Sequence, residues 1–171
     1  MLKAIRLKYS EVSQISTENV EGFLEENKVK CNRVVLIDAR SLEEHSVSHI
    51  KNSFHVPDDI SDANLEAFLL QNTRNLEQKE EDVRIVCYCS VGYRSSDMAR
   101  RISKLMQPDN KVVGIHNMEG SLFKWANENR PMVTPSGEPT VYVHPFNALF
   151  GAVLRADLRK YKAEDRNDLG D

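Results

Sequence analysis

The chain is predicted to fold as an α/β domain, with a mostly parallel central sheet, helices on both faces and a C-terminal strand and helix added beyond it. Three observations carry that expectation. Short runs of β-branched residues alternate along the chain with segments whose apolar residues recur at helical spacing. Ser41 and Glu44 form a capping box directly after the first strong strand pattern. A cysteine-led loop from Cys89 to Arg94 joins a strand pattern to a helix pattern, which is where open parallel sheets place their chemistry.

The elements follow in order. Residues 1–8 read as an edge strand or lead-in, and Val20, Phe23 and Leu24 mark a helix over 17–27. A strand over 33–39 leads to the helix opened by the capping box, and Phe54-His55-Val56 is a short strand stopped by Pro57. Leu65, Phe68, Leu69 and Leu76 lie on one helical face. Residues 84–88 form a buried strand, and Met98, Ile102, Leu105 and Met106 repeat on the helix after it. A further strand is expected over 111–115, then a short helix carrying Leu122, Phe123, Trp125 and Ala126. Beyond a turn-rich stretch at 134–139 comes Val141-Tyr142-Val143, and Pro145 suits the first turn of a helix. Phe146, Leu149, Phe150, Val153, Leu154, Leu158 and Tyr161 would form one apolar face of that helix. The expected division is a core domain over 1–133, an extension over 134–162 with its amphipathic helix docked on the domain, and a charged, disordered tail over 163–171. The same helical face would also serve as a homodimer seam or as a groove for a protein acceptor.

Composition bounds the function. A chain of 171 residues buries a full core as one domain. A formal charge of −3 with interspersed signs leaves no electrostatic footprint for nucleic acid. No apolar run reaches the roughly 20 residues of a membrane span. Three cysteines fit a reducing compartment, so a cytoplasmic location is expected, while Lys3, Arg6 and Lys8 also suit a mitochondrial presequence. Cys87 and Cys89, about 6.6 Å apart on an extended strand, could be bridged only with strain. Cys31 precedes the first core strand and so lies at the opposite sheet edge from Cys89. His45 and His49 stand at i and i+4, but no third ligand is apparent in the sequence, so no metal site is expected and they read as a solvated face.

Cys89 is the candidate nucleophile. At a strand end before a helix, its sulfur faces loop amides, the positive end of the helix dipole and the Arg94 guanidinium, all of which favour the thiolate. Four residues separate Cys89 from Arg94. That ring is one residue smaller than the loop of protein tyrosine phosphatases, and it suits a persulfide better than a phosphate. The loop, with Cys89, Gly92, Arg94 and Ser95 in order, resembles the active loop of rhodanese-type sulfurtransferases. Strand 34–40 ending in Asp38-Ala39-Arg40, the segment from Glu43 through His49-Ile50-Lys51-Asn52 to Pro57, and Asn117 to Trp125 resemble further motifs of that family. Asn52-Ser53 stand where the family has Gly-Ala, and Glu119 replaces the first glycine of its Gly-Gly pair. The likeness spans roughly residues 14–133.

The resemblance implies a sulfane-sulfur transfer through a Cys89 persulfide, from thiosulfate or a small persulfide to a thiol or cyanide, with no cofactor. Ser90, Val91, Gly92, Tyr93, Arg94 and Ser95 would form the substrate loop, Val91 and Tyr93 would shape access and acceptor choice, and Asp38 and Arg40 would support the loop. Ser95 and Ser96 are expected to satisfy open amides at the helix start. The alternatives are a regulatory or protein-interaction module of low turnover, and a phosphatase or arsenate reductase on the related scaffold.

Overall fold

A computed structural model describes residues 1–26, 33–74, 83–106 and 112–162. In chain order the elements are helix α1 (Leu2–Lys8), strand β1 (Ser13–Ile15), α2 (Thr17–Glu26), β2 (Arg33–Asp38), α3 (Leu42–Val47), β3 (Phe54–His55), α4 (Asp62–Arg74) and β4 (Val83–Tyr88). They continue as α5 (Tyr93–Leu105), β5 (Val112–Met118), α6 (Ser121–Asn127), β6 (Met132–Val133), β7 (Pro139–Thr140), α7 (Ala148–Gly151) and a 3-10 turn at Ala156–Leu158. Five strands form a parallel sheet in the order β1-β5-β4-β2-β3, and β6 and β7 make a separate antiparallel pair.

Strand alternation divides the core in two. Val35, Ile37, Ile85 and Cys87 point to one face, where Ile5, Tyr9, Leu65, Leu69, Met98 and Ile102 of α1, α4 and α5 close over them. Leu36, Val86 and Tyr88 point to the other, covered by Val20, Leu122, Phe123 and Trp125 of α2 and α6. Because both faces are covered, the two central strands are apolar nearly throughout, which is why they were legible as continuous runs. The mostly parallel, two-faced α/β architecture read from the sequence is therefore the architecture of the chain.

Three details differ from expectation. Residues 2–8 form a helix rather than an edge strand, because Ile5 and Tyr9, four apart, both seat in the first core. The sheet edge is taken instead by the three-residue β1, whose only buried side chain is Ile15. Such a short strand has too little pattern to read. The third difference is the C-terminal segment, which forms no continuous amphipathic helix. Asn147 caps α7 by accepting the Phe150 N–H at 2.9 Å, while Asn127 of α6 accepts the Arg155 N–H at 2.9 Å and donates to the Val153 carbonyl at 2.8 Å. Those side chains satisfy backbone groups that a helix would otherwise use, and Val143 pairs with Arg159 in a parallel bridge. Val143, Leu154 and Leu158 still enter the second core, whereas Leu149, Val153 and Tyr161 stay exposed. Cys31, Leu76, Lys111 and the 163–171 tail lie outside the described residues.

Since Leu154 is 1% exposed within the second core, we expect the extension to unfold with the domain. Leu154→Ala should cost about 2–4 kcal/mol in chemical denaturation, in a single transition followed by both far-UV dichroism and Trp125 fluorescence. An early, separate melting of the extension would contradict this.

Candidate active site

Cys89 leaves the carboxyl end of β4, and the chain turns at once into α5. The turn depends on Gly92, whose φ of 108° is open to glycine and strained for other residues. In that conformation the Gly92 N–H returns toward the strand end and donates to Cys89 Sγ at 3.1 Å. The rest of the loop is fixed from α6. The Leu122 and Phe123 amides, at the start of that helix, donate to the carbonyls of Cys89 and Ser90 at 3.0 Å each. Ser121 Oγ accepts the Cys89 N–H at 3.1 Å and donates to the Met118 carbonyl at 3.0 Å. Gly120, with φ 73°, makes the turn before α6, where a Cβ would lie 2.6 Å from Lys124 Cβ.

Arg94, at the start of α5, turns back to α3. Its Nη1 and Nη2 donate to Glu44 Oε2 and Oε1 at 2.7 and 2.8 Å, a bidentate pair, and Nη2 also donates to Ser90 Oγ at 3.0 Å. Ser90 Oγ donates to Glu44 Oε1 at 2.5 Å. Burial pushes the Glu44 pKa up, but the hydrogen bonds and charge of Arg94 and the bond from Ser90 outweigh it and hold the carboxyl below its ordinary value. For Arg94, burial lowers the pKa, while the Glu44 hydrogen bond and the Cys89 charge raise it, with a net rise. Glu44 also accepts the Ser41 N–H, so the capping box of α3 and the support of the loop share one carboxylate. The sequence shows only the capping role, because the partners of Glu44 in the loop lie 46 and 50 residues away.

Asp38 and Arg40 form a fully buried pair, with Nε and Nη2 on the two carboxylate oxygens at 2.8 and 2.6 Å. Arg40 also donates to the carbonyls of Glu44 and Ser48 at 3.3 and 2.6 Å, holding the end of α3. Tyr88, the residue before Cys89, donates its hydroxyl to Asp38 Oδ2 at 3.0 Å. Burial raises the Asp38 pKa, but Arg40 and the hydrogen bond of His45 reverse that and leave it far below the carboxylate range.

The remaining candidates fall as follows. Tyr93 is half-exposed and stacks edge-on against Tyr9, at the C-cap of α1, with Lys8 above its ring. Val91, expected to shape access, is instead buried in the second core, beside Leu122 and Phe123 in the same cluster. Ser95 and Ser96 do not accept open amides: Ser95 Oγ donates to Asn117 Oδ1 and Ser96 Oγ to the Gly92 carbonyl, both at 2.6 Å. Neither Cys87 nor Cys89 is in a disulfide, and burial, followed by the Cys89 charge, pushes the Cys87 thiol up and keeps it protonated. His45 does acquire two histidine neighbours, with ring centroids 4.1 Å from His49 and 4.6 Å from His55. Their rings stack rather than converge, and no group of three or more potential ligands among the described residues has a metal-holding arrangement.

The family model described as "Rhodanese-like domain" matches residues 19–128. A thiosulfate sulfurtransferase from Pseudomonas aeruginosa is similar in structure, with 14% identity and a TM-score of 0.57 over 88% of this chain, which spans 25% of that protein's length. A yeast protein tyrosine phosphatase of the rhodanese family shares 13% identity with a TM-score of 0.55, over 68% of this chain and 85% of its own. At such identities the likeness is one of fold. No curated protein matches the chain.

The Asp38–Arg40 pair generates a prediction about stability. A carboxyl depressed in the folded state contributes stability that is present above its unfolded pKa of about 3.9 and is lost as pH falls through the folded value. Stability should therefore decline on acidification from about pH 5 downward, and Asp38→Asn should flatten that decline. The same substitution leaves Arg40 buried without its partner and should cost about 3–5 kcal/mol at neutral pH in urea titration. A loss under about 1 kcal/mol would show that the pair does not brace the site.

Proposed function

The chain belongs to the rhodanese-like domain family, and from that premise we propose that it is a sulfurtransferase with Cys89 as nucleophile. The thiolate attacks the outer sulfur of a donor. The new bond is Cys89 Sγ–S, the broken bond is the one between the outer sulfur and the donor, and the donor leaves with that electron pair. A thiolate or cyanide acceptor then takes the outer sulfur and restores the Cys89 thiolate, a double displacement through a covalent intermediate. The chemistry draws on no metal or organic cofactor, because the transferred atom rides on the cysteine.

The observation that carries this reading is the Gly92 N–H at 3.1 Å from Sγ, inside a loop only four residues wide. An amide held at that sulfur by a glycine turn is suited to a compact sulfur anion. In this reading Ser90 and Arg94 brace the loop through Glu44, Ser95 anchors the start of α5, Tyr93 borders access, and Asp38 and Arg40 hold α3 and Glu44 in register. A phosphatase role is the second reading, favoured by the phosphatase description of one fold neighbour. The short loop and the engagement of Arg94 by Glu44 count against it, since a phosphoryl group needs a wider amide ring and a free guanidinium fork.

Exposure to a sulfane donor should add one sulfur, about 32 Da, to Cys89, and cyanide should release it as thiocyanate. Cys89→Ser should abolish both while leaving the fold unchanged, as read by peptide mass mapping and circular dichroism. Label on Cys87 instead would overturn the assignment. Under the same conditions, turnover of p-nitrophenyl phosphate should stay negligible. Cys89-dependent hydrolysis of that ester at a rate matching sulfur transfer would favour the phosphatase reading.

A further inference from the structure

The cation that closes the loop is already neutralised by the protein. Both Nη atoms of Arg94 lie on the Glu44 carboxylate, which is 1% exposed, and Ser90 ties into the same oxygens. One face of the guanidinium is also covered: Cζ stands 4.7 Å from the centre of the Phe146 ring. Phe146 reaches that position from the C-terminal extension through a left-handed backbone, φ 62°, with its N–H donated to His144 Nδ1 at 3.1 Å. The guanidinium one layer behind, Arg40, is likewise matched by Asp38. A donor that reaches the Arg94 side of the loop therefore meets a balanced carboxylate–guanidinium pair and an aromatic ring that is 43% exposed. A dianion gains no unmatched charge from Arg94 and is repelled by the thiolate. A donor bearing an organic group loses less on that account and gains apolar contact with Phe146.

We propose, building on the sulfurtransferase reading, that the site selects an organic sulfane donor, a persulfide or thiosulfonate of at most one negative charge, over the inorganic dianion thiosulfate. Glu44 and Phe146 are the residues that set this preference. Glu44 is a positioning residue acting through Arg94, and Phe146 is a contact for the organic group. With an organic persulfide R–S–SH the step is balanced. The Cys89 thiolate forms a bond to the outer sulfur, the R–S to sulfur bond breaks, R–S⁻ leaves with the electron pair, and Cys89 Sγ is left bearing the single transferred –SH. With benzenethiosulfonate the leaving group is benzenesulfinate, again with one S–S bond formed and one broken.

The test compares kcat/KM for benzenethiosulfonate and for thiosulfate, each read as thiocyanate release by the whole chain with cyanide as acceptor. Their ratio is followed across variants, so that intrinsic donor reactivity cancels. Glu44→Gln removes the carboxylate and frees the charge of Arg94, and should lower the ratio by about tenfold, mainly through a smaller thiosulfate KM. Phe146→Ala should lower it by about threefold to tenfold through a larger benzenethiosulfonate KM, with the thiosulfate KM unmoved. A ratio unchanged within about twofold in both variants would overturn the proposal, whereas failure of both donors to leave a sulfur on Cys89 would overturn the sulfurtransferase reading itself. Should Glu44→Gln not fold, the wild-type protein decides the matter. Inorganic sulfate, an unreactive dianion, should fail to compete with benzenethiosulfonate even at about tenfold molar excess, and strong competition would overturn the proposed selectivity.

Discussion

One buried carboxylate ties the site together. Glu44 accepts from Arg94 twice, from Ser90 and from the Ser41 backbone, so it joins α3, the Cys89 loop and the start of α5 at a single point. An ionised carboxylate with almost no solvent exposure persists only when its oxygens are filled, and here they are. The consequence runs in both directions. Arg94 is placed by Glu44, and α3 is placed by Arg94 as much as by its own cap. The loop holds this geometry without a ligand, so the proposed sulfur transfer would need little reorganisation.

The sheet supplies the other half of that preorganisation. Cys87 and Tyr88 point to opposite cores by strand alternation, which fixes the direction in which the chain leaves β4. Tyr88 then reaches the Asp38 carboxylate at the end of the neighbouring strand, and the α6 amides hold the carbonyls of Cys89 and Ser90. Only after those anchors does Gly92 bend the chain back on the sulfur.

Much of this was legible in the sequence because it is local. The two-faced apolar strands, the capping box and the cysteine loop each declare themselves within a few residues. What the sequence hid is non-local or compensated. Glu44 reads as a helix cap because its loop partners lie some 50 residues on. Ser121 and Asn117 read as parts of a turn and a strand, though they fix Cys89 and Ser95. The C-terminal apolar stripe carries the spacing of a helix, but asparagine side chains at 127 and 147 capture the backbone groups that would propagate it. Freed from a continuous helix, that segment can bring Phe146 over Arg94, a contact no periodicity reveals.

The central claim is that Glu44 retains Arg94 while the loop amides hold the sulfur. A crystal structure of the protein with Cys89 converted to the persulfide tests it most directly. The account predicts both Arg94 Nη atoms still within about 3 Å of the Glu44 oxygens, with the outer sulfur among the backbone N–H groups of the loop. An Arg94 swung away from Glu44 to pair with the persulfide sulfur would contradict it.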